Sequence, residues 1–188
     1  MPIVYENVPQ ASLDALDAGQ GLLAAGEANL KLMLAEARRD HMAHQPHRTM
    51  AFFIQHLGEQ APAENFVDTG WRYIGTQGGV DYSVEVRVDP ASQQHSFAMI
   101  NFSPYIEATR TGLSAAAQHP DIQAHPYHFV LLHVPDVPLL ALYFFPEGEA
   151  PAYAMVLSPL SVNPSRQQQI MPASELFSLI TAEAGKHP

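Results

Sequence analysis

Cysteine is absent from the 188 residues. That excludes a disulfide scaffold, thiolate metal centres, iron–sulfur clusters and every mechanism built on a Cys nucleophile. Cations are the next scarcity: nine Lys and Arg stand against 19 Asp and Glu, for a formal charge of −10. None precedes Lys31, and none lies between Arg110 and Arg166, a gap that holds Asp121, Asp136, Glu147 and Glu149. Affinity for nucleic acid and for anionic membranes comes largely from phosphate-neutralising side chains, so both are expected not to be partners. A charged partner is expected to be basic. Long hydrophobic runs are missing too. The longest nearly uncharged apolar stretch, residues 137–145, falls far short of the ~20 residues that a membrane-spanning helix needs. The opening MPIVYENVPQ lacks the basic and apolar regions of a signal peptide, and a cytoplasmic location is expected. Lysine occurs twice, at Lys31 and Lys186, against seven arginines and abundant alanine. This composition fits GC-rich coding and a bacterial source.

Catalytic motifs are sparse in the same way. No Gly-x-Ser-x-Gly elbow occurs, and nothing in the sequence pairs Ser96, Ser103 or Ser158 with a base. The run Gly75-Thr-Gln-Gly78-Gly79 lacks the lysine and following helix of a phosphate-binding loop and reads as a hairpin turn.

What is present is an apolar share of 47%, enough to build a core without covalent staples. Length favours a single domain over residues 1–188, with a helical part at 1–60, a sheet part at 65–158 and a closing helix at 173–185. Leu13, Leu16, Leu23, Leu30, Leu34 and Ala37 recur at three-and-four spacing, which predicts helix over residues 12–45. Ser12 is its expected N-cap, and a break is expected near Gly19–Gly21. Met50, Phe53, Ile54 and Leu57 repeat the pattern after Pro46, so a second helix over 46–57 is expected to complete a helical hairpin.

The period then changes to two. Val80, Tyr82, Val84, Val86 and Val88 alternate with Asp81, Ser83, Glu85 and Arg87, a strand with one buried and one wet face. Further strands are expected at 70–75, 95–102, 127–134, 139–145 and 152–158, with a helix at 105–118 and a last one at 175–184. Together these predict an α+β fold: an antiparallel sheet of about five to six strands, an N-terminal helical hairpin and a C-terminal helix. The element order is loosely similar to that of type III secretion chaperones. The helix at 46–57, the strand at 152–158 and the length depart from it, and no motif carries the likeness.

Ten histidines make metal the first chemistry to weigh. His41, His44 and His47 recur every third residue, but no His-Glu-x-x-His or Glu-x-x-His pattern lies nearby and Pro46 turns the chain before His47. His119, His125, His128 and His133 form a second group. Its best ligand set would be His125 and His128 with Asp121, although solvated loop histidines are the simpler account. No cofactor and no catalytic residue is assigned. Trp71 and Tyr73 share one face of a strand, and Leu140, Leu142 and Phe144 lie on a strand apolar on both faces; these five are the candidate partner-binding residues. The expectation is a non-enzymatic protein-binding module, of the kind of a bacterial immunity protein or a secretion chaperone, that binds a protein partner or a second copy. The alternative is a metal-dependent enzyme or small-ligand binder that uses the histidine cluster.

Overall fold

The computed structural model describes residues 3–59, 62–160 and 164–186. Its packing divides into two compact units that are interleaved in sequence. One comprises Tyr5–Thr49 and Asp68–Glu107; the other comprises Met1–Val4, Met50–Val67 and Ala108–Pro188.

In the first unit an N-terminal helical hairpin is present. It is formed by α1 (Gln10–Leu22) and α2 (Ala28–Arg39), both within the stretch expected as one helix, and not by that helix with 46–57. It packs on the antiparallel strands β3 (Val67–Gln77), β4 (Val80–Val88) and β5 (His95–Asn101). Leu13, Leu16, Met33, Leu34 and Ala37 meet Trp71, Tyr73, Tyr82, Val84 and Val86 in one core. The β4 alternation sets this contact, because every second residue must point the same way. Two details of the hairpin differ from expectation. The break falls at 23–27, because Gly19 lies inside α1 against Phe97, where a Cβ would come within 2.6 Å of the ring. Glycine is there for close approach and does not end the helix. Ser12 is no cap either: the helix begins two residues earlier, and the Ser12 side chain is fully buried.

The stretch expected as a second helix is a strand, β2 (His47–Ala51), followed by a single 3-10 turn at Ile54–His56. Met50 and Phe52 alternate into the second unit's core, and the Phe52 amide donates to the His133 carbonyl at 3.0 Å. The left-handed backbone of Gln45 (φ 46°) stops any helix from running through from α2. The helical spacing of the apolar residues here was a coincidence of composition, overridden by tertiary packing.

The second unit is built on a hairpin. β6 (Tyr127–Val134) and β7 (Leu139–Pro146) pair in full register, and β8 (Tyr153–Val156) and β9 (Ile170–Pro172) continue the antiparallel order. β1 (Ile3–Val4) runs parallel to β6, so the pairing is mixed and not purely antiparallel. With these two short strands and β2, the described residues hold nine strands, more than the five to six expected.

β7 is central between β6 and β8, and both its faces are covered. On one, Leu139, Ala141 and Tyr143 meet Leu176, Leu179 and Ile180 of α5 (Ala173–Ala184) in a core that Phe52, Phe66 and Phe177 extend. On the other, Leu142 lies beneath Gly112 of α3 (Pro104–Gln118). A fifth helix, α4 (Pro120–Gln123), is a single turn. Among the described residues no helix is long and apolar enough to cross a membrane.

Candidate functional site

β5 is the end strand of the first unit, bonded among the described residues to β4 alone. Its sequence, HSFAMIN, carries no acidic, lysine, arginine or proline residue. The turn before it is tied by Asp89, whose carboxylate accepts from the Ala91 and Ser92 amides and the Ser92 hydroxyl. Those bonds hold the Asp89 pKa below the ordinary carboxylate value.

The register of β5 shifts midway. Phe97 faces Val86 and Met99 faces Glu85, so Ala98 is an extra residue, a β-bulge. Phe97 and Ile100 therefore turn to the helices, whereas Met99 and, just past the strand, Phe102 stand in solvent at 49% and 53% exposure. At one end of β5, Ser96 sits beside Arg87 of β4. Arg87 is exposed and makes no ion pair among the described residues. Beyond the other end, the exposed Glu107 stands in the first turn of α3.

Inward from Met99 the same face is polar. Arg72, Glu85 and Met99 occupy one row across β3, β4 and β5. The Arg72 guanidinium meets the Glu85 carboxylate at 2.9 Å, and Ser83 donates to the same carboxylate at 3.2 Å. Burial lowers the Arg72 pKa, and Glu85 opposes the shift. His47, on β2, is almost wholly enclosed. Its Nδ1 donates to the Gln45 carbonyl at 2.8 Å. Burial first, against that hydrogen bond, and then the Arg72 charge push its pKa to about 3. His47 is thus a neutral imidazole at pH 7, and Glu85 is neutralised by Arg72. The row is an ordered polar surface with its charges already spent on each other.

The histidine and partner-binding candidates lie elsewhere. His44 donates from Nδ1 to the Asp40 carbonyl and accepts from the Tyr82 hydroxyl at 3.2 Å, so it does not converge with His47. His125 is exposed on a loop, and His128 pairs with Glu147 at 2.9 Å. Asp121 on α4 stands 4.0 Å from His119. No group of three or more metal-ligating side chains gathers among the described residues.

Trp71 and Tyr73 lie within the first unit's core, and Leu142 and Phe144 are equally buried on β7, while Leu140 is half-buried. None of the four buried ones presents a surface in the folded chain. One pairing could not be read from sequence: Ser12 Oγ lies 2.9 Å from His95 Nδ1, across 83 residues. Full burial of Ser12 closes it to any substrate, and the bond instead satisfies a polar group inside α1.

Comparison with protein-family models, with curated proteins and with solved structures finds no match to this chain.

Proposed function

We propose that this chain is a non-enzymatic protein-binding module, cytoplasmic and bacterial, in the manner of an immunity protein or a secretion chaperone. The observation that carries the reading is β5: a strand with one bonded side, no charge or proline to guard the other, and Met99 and Phe102 exposed beside it. Unpaired strand edges are templates for extended chain, and proteins ordinarily blunt them with charge, proline or cover. Here the bulge at Ala98 is the one such device on the strand, and it shortens the edge without closing it. Main-chain hydrogen bonds supply affinity in such docking, and flanking side chains supply selection.

The acidic balance supports a protein ligand over a polyanion. The test is recovery of a stoichiometric partner from the native host by the parent chain and its loss with Met99→Lys and Phe102→Asp. Recovery that is indifferent to both would remove β5 as the docking strand. Equimolar zinc, iron or manganese that survives dialysis would instead favour a metal-dependent activity.

A further inference from the structure

We propose that β5 is completed by β5 of a second copy of this chain, paired antiparallel about a two-fold axis near Met99. The inference rests on reading β5 as a docking strand and names what docks there. A chain with charge −10 is on the whole disposed to repel a copy of itself, and least so where charge is missing. HSFAMIN is such a place.

Self-pairing also matches what stands at its two ends. A two-fold axis at Met99 brings the two Met99 side chains together. Because Ala98 bulges out of each strand, it sets Asn101 of each copy across from Ser96 of the other and brings Phe102 across from His95, so both exposed apolar side chains gain cover. Ser96 is flanked by Arg87 and Phe102 is followed by Glu107, neither of which makes an ion pair among the described residues. An antiparallel match therefore directs each Arg87 toward the other copy's Phe102 and Glu107, a complementarity that occurs twice by symmetry. Asp89, the acid nearest Arg87, is occupied by its own turn.

Such an interface is closed, because each copy spends the one long open edge found among the described residues. β9, which ends the second unit's order, is three residues long and finishes in Pro172, so it cannot extend the assembly. The bulge confines pairing to a few residues, which makes the dimer reversible and not permanent.

Sedimentation equilibrium of the full chain over a concentration series tests this. The parent should show a monomer–dimer equilibrium, and Met99→Lys should weaken it by at least about tenfold, because the axis sets two lysines together. Arg87→Glu should weaken it as well, and adding Glu107→Arg should restore it, a recovery that a mere folding defect cannot produce. Hydrogen exchange gives a second readout: β5 amides should slow as the parent is concentrated. A parent that stays monomeric, or a dimer indifferent to Met99→Lys, overturns the proposal. A monomer whose β5 amides slow only when a foreign protein is bound also overturns self-pairing, yet leaves the protein-binding reading intact.

Discussion

At the scale of single residues, His47 is the most consequential ionisable group. Its folded pKa of about 3 lies below the ordinary 6.5, so the unfolded chain takes up a proton that the folded chain refuses. The associated stability is complete above pH ~6.5 and drains as pH falls, at up to ~1.4 kcal/mol per pH unit, until the folded pKa is reached. Between pH 7 and pH 5 the parent should lose about 2 kcal/mol more than His47→Gln, read from urea unfolding at the two pH values. Parallel pH profiles would mean that the imidazole protonates within the fold.

Glycines 19 and 21 offer a sharper contrast. Nothing lies within 4 Å of a Cβ placed at Gly21, whereas one at Gly19 runs into Phe97. Gly21→Ala should gain up to ~1 kcal/mol of helix propensity, while Gly19→Ala should lose about 1–3 kcal/mol to overpacking. Equal effects in thermal melts would place α1 differently on β5.

At the scale of elements, β4 carries the clearest expectation. Val84 is fully buried between α1–α2 and the sheet. Val84→Asp should cost several kcal/mol, a large part of the ~5–15 kcal/mol that holds an ordinary domain together, and a parent-like melt would mean a different register.

The bounds of β4 were legible because a period of two, ended by turn residues, has few other readings, and those of β6 because an apolar run is bounded by Pro126 and Pro135. β2 was not legible: Met50, Phe53, Ile54 and Leu57 fit a helix in sequence, and only the pairing of Phe52 with His133 decides otherwise. β1 and β9, at two and three residues, are too short for any periodicity and exist through their neighbours. The exposed edge was half legible. The strand at 95–102 could be read, but that it ends a sheet depends on strand order, which one-dimensional patterning does not encode. For the same reason the sequence left Trp71 and Tyr73 open between a partner surface and the core, and they are core.

At the scale of the whole molecule, charge sets behaviour in solution. The −10 of the chain and its ten histidines put the isoelectric point near 5.3. Net charge falls toward zero as the pH approaches that value, so self-repulsion fades over the window in which His47 also withdraws stability. Solubility should pass through a minimum near the isoelectric point, measurable as turbidity across a pH series. A flat response from pH 7 to pH 5 would mean that net charge does not govern solubility.

The interleaving of the two units has a consequence for synthesis. The chain leaves the first unit at Thr49, re-enters it at Asp68 and leaves it again at Glu107. Ile3 and Val4 find their partners only when Tyr127 and His128 emerge. At ribosomal speeds that is a wait on the order of ten seconds. Throughout it β1 is committed to nothing, and Met50, Phe52 and Phe66 await the strands that will bury them. Neither unit can therefore finish as a consecutive stretch of nascent chain. The long sequence separations make folding slow relative to a helical bundle of the same size and leave apolar segments dependent on shielding while they wait.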